Sequence, residues 1–301
     1  MGQQRCMRAA TRKISTEFRI ISSEAGVLGC ASEGANLTGS RYRPSAIDGL
    51  PARLSGQWAK EKLKYLDKYM HLFNVGMKNW WHNRVFLDLL AGCGKCVDED
   101  TGEEFDGSPL RAIKCEEPFT RVICVESETG LADALEQRTK DQAHVIRDDC
   151  NNPKVIEQLR GSLGYGILGL AFVDNLGLDV PLSTIGQLTE GRLIDLFIVF
   201  QIGDIKRNIR DVLAGRDTPD RFDAFFGAGW KDVAAKAERE NLTADETTTR
   251  LLDFYASKLN GLRRAAHGHA NDIRQRARRC RQAGAGSQAR GFRGHRKRGE
   301  T

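Results

Sequence analysis

The chain has 301 residues, 40% of them apolar and 29% charged, which is enough material for one sizeable core and too much for a disordered chain. No apolar run approaches the roughly 20 residues of a membrane helix, and charges flank Ile20-Ile21, so the expectation is a soluble, cytoplasmic protein without a membrane span or signal peptide. The net charge of +6 is uneven: from Arg263 onward there are 12 Lys+Arg against 2 acids, leaving 34 basic and 38 acidic residues elsewhere, so a charge argument for nucleic acid concerns only the tail.

Residues 1–51 are rich in Ser, Gly and Arg and show no sustained period. They read as a poorly ordered leader, with room for a short strand at Phe18–Ile21, and a misassigned start codon would give the same appearance. From Trp58 to Phe73, Trp58, Leu63, Leu66, Tyr69, Met70 and Phe73 recur at helical spacing, with Ser55 as a plausible N-cap. A first strand follows at Val85–Leu90, then an acidic segment, Lys95–Gly107, read as a loop. Ser108-Pro109 opens a helix, with Ser as cap and Pro in the first turn.

Strands are then expected at Arg121–Val125, His144–Arg147, Gly169–Val173 and Leu193–Phe200. Helices between them are expected at Leu131–Lys140, Lys154–Arg160 and around Ser183–Leu188. Strand–helix alternation with nearly continuous apolar strands is the pattern of an α/β fold with a doubly wound, mostly parallel sheet, Rossmann-like and of methyltransferase type. After Ile205 the chain turns helical, and Thr243-x-x-Glu246 matches a capping box. The organisation expected is a leader at 1–51, an α/β domain at 52–262 whose segment 204–262 is a helical C-terminal part, and a basic disordered tail at 263–301. That tail reads either as a flexible phosphate-holding arm or as an out-of-frame end of a GC-rich gene. The second is favoured because such a sheet should close with two more strands and none is visible.

The chemistry concentrates at strand ends. Val85–Leu90 runs into Ala91-Gly92-Cys93-Gly94, a loop without the third glycine of a dinucleotide fingerprint, which suits a ligand carrying no pyrophosphate. S-adenosylmethionine fits this pattern. Asp88 would meet its amino group, directly or through water, and Ala91, Gly92 and Gly94 would let its methionine portion approach the backbone. Glu126, at the end of the second strand, could accept from both ribose hydroxyls, against the plainer reading of a solvated strand end or helix cap. Asp149 could take the adenine amino group; pattern alone leaves the adjacent Asp148 open. Asp174, ending the fourth strand, is the candidate general base or acceptor facing the substrate, and capping the turn Asn175-Leu176-Gly177 is an equal alternative.

The eight cysteines read as reduced thiols. Cys93-x-x-Cys96 with Cys115 and Cys124 resembles a ligand set, but Cys93 lies in the glycine loop and Cys124 in a strand, so no metal site is expected. The histidines form no constellation.

From about Trp58 to Leu262 the chain resembles the three-Cys-motif partner proteins (TcmP family), found in bacteria and phages. The resemblance rests on Lys60, Lys62 and Tyr65 in the first helix, Phe86–Gly94 as the strand and glycine loop, and Gly107-Ser108-Pro109-Leu110. Glu126, Asp149-Cys150-Asn151 and Phe172-Val173-Asp174-Asn175-Leu176-Gly177 continue it, with Arg207-Asn208 and Phe225-Phe226-Gly227 in the helical part. It implies a Rossmann-like methyltransferase fold and a three-Cys-motif protein encoded nearby as partner. The chain departs from the family in Asn175, where a proline is usual, and in Cys93 between the glycines. Two functions follow as expectations: an S-adenosylmethionine-dependent methyltransferase-like protein with nucleic acid as a candidate acceptor, or a non-catalytic module that docks a three-cysteine protein in a mobile-element or defence locus.

Overall fold

The structure, a computed structural model, describes residues 19–22 and 41–262 apart from Tyr165, Leu176, Gln201 and Asp217. The remainder of the expected leader and the basic tail lie outside the described residues. The strands of the main sheet are β1 (Arg19–Ser22), β4 (Asn83–Asp88), β7 (Arg121–Val125), β8 (His144–Ile146), β9 (Ile167–Asp174) and β10 (Ile194–Phe200). They stand in the order β1-β10-β9-β4-β7-β8, and every pairing is parallel. This is the α/β, mostly parallel sheet expected. Apart from its first residue each of β4, β7 and β9 is buried, and β10 is buried throughout, which is why these runs do not alternate polar and apolar residues.

Helices cover both faces. On one face α1 (Gln57–Met77) lays Leu63, Leu66, Met70 and Phe73 against Phe86, Leu170, Phe172 and Phe197. The short α2 (Ser108–Ile113) and α3 (Thr129–Thr139) add Ala112 and Leu135 to that layer. The other face carries α4 (Pro153–Ser162), α5 (Leu182–Thr189), α6 (Ile202–Leu213), α7 (Asp220–Phe226), α8 (Trp230–Arg239) and α9 (244–262). There Phe200, Phe222, Phe225, Phe226, Trp230 and Tyr255 form an aromatic block, with Tyr255 stacked on Phe225 at 4.5 Å. The capping box opens α9 as its sequence implies: Thr243 N donates to Glu246 at 2.8 Å and Glu246 N donates to the Thr243 hydroxyl at 3.2 Å.

Five expectations are corrected. Part of the segment read as leader is ordered: β2 (Tyr42–Pro44) and β3 (Pro51–Ser55) join β5 (Lys95–Asp98) and β6 (Glu104–Asp106) in a second sheet, β2-β3-β5-β6. Lys95–Gly107 is therefore not a loop throughout, since its two strands pair antiparallel around the tight turn at Asp98–Gly102. Ser55 ends β3 and does not cap α1, whose N-cap is Gly56 without a side-chain bond. Likewise Gly107, not Ser108, is the N-cap of α2. The edge beside β10, expected to lack its closing strands, is filled by β1, whose Arg19–Ser22 runs parallel to Phe197–Phe200.

Candidate functional site

In the main sheet the chain moves outward from β4 to β7 and β8, then returns to place β9 and β10 on the other side of β4. The strand order thus reverses between β4 and β9, and in open parallel sheets the crevice beyond the carboxyl ends of such strands is where ligands bind. Asp88 ends β4, Asp174 ends β9, and Glu126 follows β7 directly, so the three acids stand on one edge of three adjacent strands.

The glycine loop closes onto this edge. Ala91 N donates to Val125 O at 3.0 Å, and Gly92 N donates to Glu126 Oε2 at 2.8 Å. Glu126 Oε1 takes the Glu128 amide at 2.8 Å, ahead of α3. Burial pushes the Glu126 carboxyl up, against the opposing pull of the Glu128 and Gly92 amides. Gly92 has φ +63°, and a Cβ there would meet no atom within 4 Å, so the backbone is bare towards open space. Gly94 is required for a different reason: at φ +80° its Cβ would sit 2.9 Å from Leu135 Cδ1. Gly94 shapes the loop against α3; Gly92 leaves room above it.

Asp88 is fully buried, and its carboxyl is raised to about 7, first by burial. The Asp174 charge adds to the rise; the nearby Ser108 hydroxyl, the Leu90 amide and Lys62 oppose it. Asp174 is paired with Lys62 of α1, both side chains being about nine-tenths buried. Asp88 Oδ2, Asp174 Oδ1 and Asn175 Nδ2 are buried without a hydrogen-bond partner among the described residues. Buried polar groups are nearly always satisfied, so three orphans where two neighbouring strands end mark a place where a ligand or water belongs. Asn175 Oδ1 is committed, accepting from the Asp179 and Val180 amides at 2.6 and 3.2 Å. Asn175 thus builds the turn after β9 from within.

Asp149 is placed differently. It is exposed, Asn151 N donates to its Oδ1 at 2.9 Å, and its charge acts on Cys150 and Asp179. Among the described residues no hydrogen bond joins it to Gly92 or Glu126. Asp148 is also taken locally, accepting from Asn152 Nδ2 at 2.9 Å.

Two contributors escape a reading of strand ends. Lys62 reaches the crevice from the helix that covers the sheet; a lysine among the apolar positions of a helix was the one signal available. The second is the small sheet. Its strand β5 begins immediately after Gly94, and β3 lies beside β5. Arg138 of α3 fastens it to the glycine loop, donating to Cys93 O at 2.7 Å, Pro51 O at 2.6 Å, and Asp48 at 2.8 and 2.9 Å. Lys60 of α1 bonds Asp98 and Glu103 from the other side at 2.9 and 2.8 Å.

The chain matches no protein-family model, and a search of curated proteins finds no match either. Among the described residues no helix is long and apolar enough to cross a membrane.

Proposed function

We propose that the chain is a methyltransferase-like protein of the three-Cys-motif partner type that binds S-adenosylmethionine at the carboxyl edge of β7, β4 and β9. One observation carries the reading: a glycine loop with open space above Gly92 is joined to the Glu126 carboxylate at 2.8 Å, beside the unpartnered Asp88 Oδ2. The donor set fits the cofactor. Glu126 uses one lone pair on each oxygen for backbone amides and retains a second on each for the ribose hydroxyls. Asp88 offers an acceptor to the amino group, and Gly92 supplies backbone with no side chain in the way, on a loop that Ala91 and Gly94 hold against the core and α3. Once bound, S-adenosylmethionine would supply an electrophilic methyl group. Asp149 remains the adenine candidate only if its turn opens towards Glu126.

Asp174 would face the acceptor, for which nucleic acid is the candidate class. Its ion pair with Lys62 favours a second reading, in which the fold is kept to dock a three-cysteine partner without catalysis: the carboxylate is already engaged by a buried ammonium. Titration calorimetry with S-adenosylmethionine tests the first reading. Wild type should bind and Glu126→Ala should bind at least tenfold more weakly; no heat with wild type, or equal affinity in both, removes the claim. Methyl transfer from labelled cofactor to DNA, RNA and protein, beside co-purification with the neighbouring gene product, separates the two readings.

A further inference from the structure

The small sheet presents one row of side chains to the site. Register places Tyr42, Arg53, Cys96 and Phe105 side by side across β2, β3, β5 and β6, hence on the same face. Both ends of that row are anchored on the main domain. Tyr42 packs with Cys93, Leu131 and Ala134, and its phenol, pushed up to about 12 chiefly by burial, feels Arg53, Cys93 and Glu126. Phe105 packs with the α1 layer and lies under Lys60 Nζ at 5.4 Å. Cys96, next to Arg53, feels both Arg53 and Lys62. The row therefore runs from the glycine loop and α3 at one end to α1 at the other, with Arg53 and Cys96 between them.

Arg53 is the exception in that row. It is half-buried, yet no side-chain hydrogen bond or ion pair of its guanidinium is formed among the described residues. Acids of the small sheet and its turns are engaged by other cations: Asp98 and Glu103 by Lys60, Glu104 by Lys95, and Asp48 by Arg138. A guanidinium half removed from water, with five donors and no acceptor, lacks the planar oxyanion that it is built to bind. Its cross-strand neighbours on that face are the phenol of Tyr42 and the thiol of Cys96.

We infer that Arg53 is an oxyanion-binding residue of this site, and that it takes the carboxylate of the ligand's amino-acid portion. The identity of the anion rests on the adenosyl-ligand reading above; the anion site itself rests on the placement of Arg53. Specificity follows from the layout. Asp88 receives the ammonium from the sheet edge below, Arg53 the carboxylate from the small sheet above, and ligands lacking the amino-acid portion forgo both.

The test uses the full chain and two ligands with the same adenosyl part, S-adenosylmethionine and 5′-methylthioadenosine, which lacks the amino-acid group. Arg53→Gln should bind S-adenosylmethionine at least about tenfold more weakly, the scale of one hydrogen bond to a charged group, and methylthioadenosine as wild type does. Arg53→Lys should fall between. Unchanged S-adenosylmethionine affinity, or an equal loss for both ligands, overturns the inference. The Arg53 Nε–Hε resonance of the wild type, assigned by through-bond correlation to its own backbone amide, gives a readout that does not depend on any variant folding. It should move with S-adenosylmethionine and not with methylthioadenosine. If neither adenosyl ligand binds wild type, the proposed function falls, and inorganic phosphate then decides Arg53 alone. A saturable shift of its resonance keeps the anion site; no shift removes it too.

Discussion

Lys62 and Asp174 lie 112 residues apart in the chain and meet as a buried ion pair where β9 reaches the crevice. The pair fixes the covering helix α1 to the sheet at the point where the strand order reverses. Desolvating two charges is costly, so the contact is expected to stabilise only while both partners are present. Lys62→Met should cost about 3–5 kcal/mol in urea unfolding, because Asp174 is left buried and uncompensated. The double variant Lys62→Met/Asp174→Leu should recover more than half of that loss. Equal losses in the single and double variants would show that the pair is not the source.

Asp88 gives the stability a defined pH dependence. Its folded carboxyl titrates near 7, above the ordinary carboxylate value of 3.8, so the folded chain holds this proton more tightly than the unfolded chain. The contribution is fully present below the unfolded value and is lost as pH rises through about 7. At roughly 1.4 kcal/mol per unit, wild type should lose about 4 kcal/mol relative to Asp88→Asn between pH 4 and 7. Thermal unfolding of both proteins across that window checks it; parallel curves would contradict the raised carboxyl.

The two loop glycines should separate. Gly92→Ala meets no atom and carries only the backbone cost of a positive φ, about 1–2 kcal/mol. Gly94→Ala carries that cost plus the overlap with Leu135, about 1–3 kcal/mol more. Denaturant midpoints should therefore rank Gly94→Ala below Gly92→Ala, whereas ligand affinity should suffer in Gly92→Ala, where the added methyl enters the open side of the loop.

Arg138 is the fastening between the small sheet and the glycine loop, with its side chain only 4% exposed. Arg138→Met should strand the Asp48 carboxylate, which the guanidinium holds well below the usual carboxylate range. Hydrogen exchange should accelerate in β3 and β5 and leave β4 and β9 unchanged. Uniform acceleration throughout would mean that the small sheet is not a separately opening unit.

The main sheet was legible because β4, β7, β9 and β10 are buried on both faces and so read as unbroken apolar runs. Their acids were legible because each ends such a run. The small sheet was not. Its strands are three to five residues long, and β2 and β6 include no fully buried residue, so neither period nor hydropathy marks them. Pairing across more than 40 residues, as between Arg53 and Cys96, leaves no local trace. For the same reason the side-by-side placement of Arg53 and Tyr42 was not legible, and Lys62 was seen only as part of a helix. Asp149 follows its strand as read from the sequence, but the engagement of its side chain by the Asn151 amide of its own loop could not be read there.

The most direct measurement of the central claim is hydrogen–deuterium exchange with and without saturating S-adenosylmethionine. The ligand should slow exchange in the glycine loop from Leu89 to Gly94 and at Glu126 to Glu128, the two segments joined by the Gly92–Glu126 bond, with a smaller effect in β3. Exchange that is unchanged in both segments, or slowed only in regions remote from the carboxyl edge of β4, β7 and β9, would contradict the account.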